Sequence, residues 1–351
     1  MLYLRRTKGK YEKGSVIMDY AITNFKSREI DYLEAIKKAV VKDNKFLVNE
    51  AILEDFIKDL RGKTNATKES YYKGAKYFIS YCNSRGIDKV EERDITNYYN
   101  YLVSRIGKPK NEDGLTINSV NMFLTSLRKL YKYLEKKGIK NLASNLESVK
   151  STRSHKKDPL TKSQALELLR SQDRTTEEGK RNYALLTLLL HTGLRTIEIE
   201  RANVGDLRTK GSKQVLEVQG KGHKEKDDYV KLSPVVYEAI LDYLATRKDA
   251  KPNDPLFISY SNRTKESRLK TRSIREIVKK CLEEIGVNSP RITTHSLRHS
   301  AITFSLLGGA TLQEAQTLAR HENINTTLIY AHNLDKLNSN YEEAVDNFLD
   351  A

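Results

Sequence analysis

Residues 294–307 read THSLRHSAITFSLL, and residues 311–332 read TLQEAQTLARHENINTTLIYAH. In the first stretch Leu297, Ala301, Ile302, Phe304 and Leu306 recur at helical spacing, which predicts an amphipathic helix. On that helix His295 and Arg298 stand three residues apart and share a face, so both side chains are expected to reach one anion. Gly308 and Gly309 end the helix, and Thr311 with Glu314 makes a capping box that opens a second, short one. His321 follows at its end, and Asn325 or Thr326 starts a further short helix that presents Tyr330.

Two histidines, an arginine and a tyrosine in so short a span match the needs of phosphodiester chemistry. The planar guanidinium grips non-bridging phosphate oxygens in pairs, and imidazole N–H groups add donors to the same oxygens. A phenol can attack phosphorus and carry a covalent intermediate. The chain has 20 tyrosines, most of which serve packing, so Tyr330 stands out by its setting in NTTLIYAH rather than by its type. Histidines 155, 191, 223, 299 and 332 read as structural or solvent-exposed. No Asp/Glu/His/Cys grouping has ligand spacing and no GxxxxGK[ST] loop occurs, so neither metal nor nucleotide cofactor is expected.

Upstream, RNYALLTLLLHTG (181–193) predicts an apolar helix stopped by Gly193, and Arg195 follows directly. An arginine beside so much apolar sequence needs an anion, because desolvating it alone costs several kcal/mol. Glu198 is the internal candidate. Next, KQVLEVQ (213–219) and DDYVKL (227–232) alternate apolar and polar residues around a basic tip, GKGHKEK (220–226), and predict a β-hairpin. On local sequence any of Lys221, Lys224 and Lys226 could act there.

Taken together, HTGLRTIEI (191–199), THSLRHSAIT (294–303) and RHENINTTLIYAH (320–332) resemble the catalytic signature of the tyrosine recombinases, the phage-integrase family. That signature comprises an arginine in a GLR segment, a hairpin lysine, H-x-x-R, a later histidine or tryptophan, and the tyrosine nucleophile. The resemblance assigns Arg195, Lys221, His295, Arg298, His321 and Tyr330, with Lys221 as acid to the departing 5′ oxygen. Many members carry Leu-Gly-His before the nucleophile segment. Here Leu318 is followed by Ala319, Arg320 and His321, so a side chain replaces the usual glycine.

The resemblance implies a mainly α fold with a small β-sheet: a helical core-binding bundle and a mixed α/β catalytic domain that form a C-shaped DNA clamp. The function it implies is site-specific DNA cutting and rejoining through a 3′-phosphotyrosine, in the integrase or transposase of a mobile element. An Xer-like chromosome or plasmid dimer resolvase and a cleavage-deficient DNA-binding regulator are the alternatives. Implied partners are double-stranded DNA carrying recombination sites, three further copies in a synaptic homotetramer, and an accessory directionality factor.

The rest of the chain fits that outline. Lys+Arg number 62 against 46 Asp+Glu, and the net charge of +16 favours a polyanionic partner. Residues 46–147 hold four apolar periodicities near 3.6, around Leu47–Phe56, Tyr71–Cys82, Ile95–Leu102 and Ile117–Leu134, which predict a helical bundle. Its polar faces carry Lys68, Lys73, Lys76, Arg105, Lys108, Lys110, Arg128 and Lys132, suited as a set to phosphate contacts. SVKSTRSHKKDPL (148–160) has the composition of a flexible basic linker, leading to a catalytic domain over 160–335. Thr161 and Gln164 form the capping box of its first helix.

Cys82 and Cys281 sit among apolar helix positions and read as buried thiols. No apolar run nears the ~20 residues that cross a bilayer, and MLYLRRTKGK lacks the apolar core of a signal peptide, so a cytoplasmic, nucleoid-associated protein without membrane contact is expected. Residues 1–45 read as an accessory DNA-binding segment or an added helix. Residues 336–351 place Leu337, Tyr341, Ala344, Val345 and Phe348 on one stripe, expected to be buried in cis or on a neighbouring protomer.

Overall fold

The computed structural model describes residues 49–150, 157–220, 225–338 and 341–349, which fall into two compact units. The expected N-terminal extension and Lys221 lie outside the described residues.

The first unit is a helical bundle. Helices α1 (Ile52–Asp59), α2 (Asn65–Asn83), α3 (Glu92–Val103) and α4 (Ile117–Glu135) carry the four apolar periodicities. Their starts are chemically marked: Thr64 and Thr116 hydroxyls accept from the backbone N–H of Thr67 and Ser119, and Asp94 accepts from the N–H of Glu91. The buried stripe joins Phe56, Phe78, Ile79, Tyr98, Leu102, Leu124, Leu127 and Tyr131 in one core, with Cys82 inside it. Helices α2 and α4 approach so closely at Gly74 that an added Cβ would lie 2.2 Å from the Ser126 hydroxyl oxygen. Glycine is required there by contact between helices, not by backbone dihedrals.

The second unit begins with α5 (Lys162–Arg170), opened by the Thr161–Gln164 capping box. Helix α6 (Glu177–Thr192) then runs through the core, burying Leu185, Leu186, Leu188 and Leu189. It ends at Gly193 in the left-handed region (φ 60°, ψ 25°), and this turn aims the next residues toward α7 (Thr196–Arg201). Three antiparallel strands follow, β1 (Leu207–Lys210), β2 (Lys213–Val218) and β3 (Asp228–Lys231), in the order β1-β2-β3 with Leu207 opposite Leu216 and Val218 opposite Asp228. Strands β2 and β3 are the expected hairpin.

Helices α8 (Pro234–Leu244) and α9 (Thr271–Glu284) complete the main core with Val236, Ile240, Tyr243, Ile274 and Val278. Helix α10 (Thr294–Leu307) packs on it through Leu297. On its other side, Ile302 joins Ala315 and Ala319 of α11 (Leu312–Ala319) and Tyr330 of α12 (Asn325–Asn338) in a small separate cluster. The last helix is α13 (Tyr341–Leu349). Val345 is 56% and Phe348 81% exposed, so these two apolar side chains are not covered in cis. The end of the expected linker departs from free flexibility: Lys157 donates to the Pro290 carbonyl at 2.6 Å and Asp158 pairs with Arg291 at 2.6 Å.

Candidate active site

Among the described residues, Arg195 opens α7, His295 and Arg298 lie on α10, His321 follows α11 and Tyr330 lies on α12. Arg195 is the N-cap of α7, two residues beyond the left-handed Gly193. The wholly buried Glu198 carboxylate accepts from Arg195 twice, from its backbone N–H at 2.7 Å and from Nη1 at 3.0 Å. The internal pair expected from spacing therefore exists, and it orients Arg195 while leaving its side chain 32% exposed.

Arg298, on the first half of α10, is only 3% exposed. Its Nη1 donates to the Gly193 carbonyl and its Nη2 to the Ala319 carbonyl. One guanidinium thus ties the end of α6 to the end of α11. Burial, and then the positive charges of Arg195 and Arg320, push the Arg298 pKa down to about 10, with Glu198 opposing. A cation so placed gains from any anion that enters.

His295 and Arg298, three residues apart on α10, differ in burial. His295 is exposed while Arg298 is buried, because α10 rotates the later residue toward α6 and α11. The His295 ring lies edge-on to His299, with centroids 4.7 Å apart. His299, read from sequence as structural, is buried and shares a hydrogen bond between Nδ1 and the Tyr330 hydroxyl. The missed signal was its spacing: His299 lies four residues after His295, and so on the same flank of the helix.

Tyr330 is 6% exposed, packed in the cluster with Ile302, Ala315 and Ala319. Burial raises its phenol from 10.0 to about 12, and Arg298 offsets part of the rise. His321 stacks near it with ring centroids 6.4 Å apart. The His321 Nδ1 is bonded to the Thr327 hydroxyl at 2.9 Å, which fixes the ring's orientation. The four groups Arg298, His299, His321 and Tyr330 therefore converge. In this seat the phenol is shielded from solvent.

At the hairpin, Lys226 is ion-paired with Asp206, and Arg201 donates to the Gly220 carbonyl at 3.0 Å, fixing the hairpin's base beside α7. Lys226 is thereby engaged, and Lys221 and Lys224 lie outside the described residues. In the first unit several expected phosphate ligands have internal partners. Arg105 pairs with Asp113 at 2.7 Å, and Arg128 donates to the Leu146 carbonyl at 2.8 Å. Lys73 pairs with Glu69 at 2.7 Å, an exposed pair of little energy. Lys108, Lys110 and Lys132 are exposed.

The model of the phage integrase family matches residues 159–336, and that of its N-terminal SAM-like domain matches residues 52–141. The chain belongs to the phage integrase family. It is a tyrosine recombinase, an enzyme that cleaves and religates DNA. It is 32% identical over 252 residues to the tyrosine recombinase XerC of Caldanaerobacter subterraneus subsp. tengcongensis, covering 70% of this chain and 67% of that one. It is 30% identical over 295 residues to the tyrosine recombinase XerD of Listeria innocua, covering 80% and 93%.

Among solved structures, the recombinase fold is shared with a XerH site-specific recombinase bound to a palindromic difH substrate (TM-score 0.65, 21% identity, 84% of this chain and 85% of that one). It is shared also with the Tn1549 transposon integrase in complex with transposon right end DNA (TM-score 0.59, 19% identity, 81% and 94%). Among the described residues, no helix is long and apolar enough to cross a membrane.

Proposed function

We propose that this recombinase acts on specific sites in double-stranded DNA with Tyr330 as its nucleophile. The phenol oxygen would attack the scissile phosphorus, forming the 3′-phosphotyrosyl bond as the bond to the 5′ oxygen breaks. Lys221 would give that oxygen its proton, and His295 would accept the phenolic proton. Arg195, Arg298, His295 and His321 would bind the charge of the pentavalent transition state. A 5′-hydroxyl from a partner duplex then reverses the step, so phosphodiester energy is kept without a nucleotide or a metal.

The observation that carries this reading is the convergence of the Tyr330 phenol with the histidine that directly follows Arg298 and with the ring of His321. Two finer readings follow from different observations. The residues preceding the matched domains favour the integrase of a mobile element, and the Xer names of the similar recombinases favour a chromosome or plasmid dimer resolvase. In either, the working form would be a tetramer on two sites. The exposed Val345 and Phe348 of α13 supply an apolar face for a neighbouring protomer.

The test uses nicked suicide duplexes tiled from the source genome. Wild-type protein should yield a denaturation-resistant adduct on a small set of related sequences. No adduct on any tile would leave a DNA-binding regulator instead. Tiles that flank the gene itself would mark a mobile element, and a single site elsewhere on the replicon would mark a resolvase.

A further inference from the structure

Arg320 is absent from the six-residue catalytic set, yet its side chain is built into the same charge cluster. It caps α11 in the left-handed region (φ 51°, ψ 51°), a conformation glycine adopts freely and a Cβ resists. Its guanidinium is 11% exposed, and its Nη2 donates to Glu198 Oε2 at 2.8 Å. Its Nε lies 3.6 Å from a carboxylate oxygen of Asp228, the first residue of β3. The backbone conformation is unfavourable for arginine, whereas the side-chain contacts are specific.

Glu198 explains the arrangement. Its carboxylate is wholly buried and is shared: Oε1 takes Arg195 Nη1, while Oε2 takes the Arg195 backbone N–H and Arg320 Nη2. With Arg320 removed, the full buried charge would fall on Arg195 alone. A carboxylate oxygen left with only a backbone N–H can draw a guanidinium into a two-pronged clasp, which turns its N–H edge inward and offsets its positive charge. With Arg320 in place, Arg195 is bonded to Glu198 through one guanidinium nitrogen and stays partly exposed. Three guanidinium groups against the buried Glu198 carboxylate, with Asp228 only on the outer side of Arg320, leave net positive charge around Arg298 for an anion to meet.

We infer that Arg320 is a positioning residue: it neutralises Glu198 so that Arg195 is free to bind the scissile phosphate, and through Asp228 it ties this centre to the hairpin. The inference rests on reading the cluster as a phosphate site. The turn it caps also sets the Ala319 carbonyl that Arg298 Nη2 donates to, so one residue governs the surroundings of both catalytic arginines.

The test is a double-variant cycle in the full chain, read on the nicked duplex that wild type cleaves best among the genome tiles. Arg320→Gly restores the residue that suits the turn, so thermal unfolding should stay close to wild type. Single-turnover adduct formation should fall ~10- to 100-fold, the usual scale for a partner that orients a catalytic group, while duplex affinity changes by less than about 3-fold. In the Glu198→Gln background the same Arg320→Gly change should cost less than about 3-fold, because there is no charge left to neutralise. Arg320→Lys, which keeps the charge, should recover part of the rate.

Equal losses from Arg320→Gly in both backgrounds would overturn the inference, as would a glycine variant as fast as wild type. A wild-type protein that forms no adduct on any tile would instead sink the phosphate-site reading, and this inference with it.

Discussion

Arg298 is fixed by two backbone carbonyls and Arg195 by a buried carboxylate, whereas Tyr330 is held by one imidazole and a small apolar cluster. The cationic half of the site is thus assembled before any substrate arrives. Its donors need little rearrangement, which is what makes preorganised electrostatics effective. The half proposed as nucleophilic is assembled but closed, with the phenol buried and its pKa raised to about 12. The contrast teaches that, on the proposed chemistry, α12 would have to move against a fixed charge frame.

The largest effect that could break this contrast is chemical. Tyr330→Phe should reduce adduct formation by roughly 10⁴-fold or more while leaving duplex affinity within about 2-fold of wild type. Gel shift and denaturing gels on the same tile read both quantities. An adduct surviving in this variant would mean that another side chain attacks.

The next separates the two arginines. Arg298→Ala strands the Gly193 and Ala319 carbonyls in the interior, and should cost about 2–4 kcal/mol of unfolding free energy in addition to ~10²- to 10³-fold in cleavage. Arg195→Ala should lose a similar factor in cleavage with a smaller loss of stability, since Glu198 keeps Arg320. Chemical denaturation compares them, and equal destabilisation would erase the distinction between frame and ligand.

A pH effect sharpens the nucleophilic half. The folded protein holds the phenolic proton more tightly than the unfolded chain, because burial raises the pKa from 10.0 to about 12. This contribution is therefore complete below pH 10 and is lost as pH rises from 10 through about 12, amounting to about 3 kcal/mol. Stability of wild type minus that of Tyr330→Phe, followed from pH 9 to 11.5, should decline over this window. A flat difference would mean that the phenol is not seated as described.

The smallest effect is a control away from both halves. Gly74→Ala drives a Cβ into Ser126 in the first unit and should cost about 1 kcal/mol there, while the single-turnover adduct rate at saturating duplex stays unchanged. Differential scanning calorimetry beside the adduct assay reads it.

Much of this was legible beforehand for local reasons. Capping boxes at Thr161 and Thr311, the stop at Gly193 and the periodic stripes of the first bundle are each encoded within a few residues. Strand β1 was missed because Leu-Arg-Thr-Lys is short, polar and mostly exposed, and pairs only once β2 exists beside it. The spacing of His295 and Arg298 gave their separation along α10 but not its rotation, which the packing of α6 and α11 decides. His299 and Arg320 were passed over for the same reason, since their partners Tyr330 and Glu198 lie far off in the chain. The internal partners of Arg105 and Arg128 were not legible, because Asp113 and the Leu146 carbonyl meet them only after folding.

Mass mapping of the trapped adduct tests the central claim most directly. After nuclease trimming and trypsin digestion, the nucleotide remnant should sit on the peptide from His321 to Lys336, and fragmentation should place it on Tyr330. A remnant on any other residue, or a peptide recovered wholly unmodified from a denaturation-resistant adduct, would contradict the account.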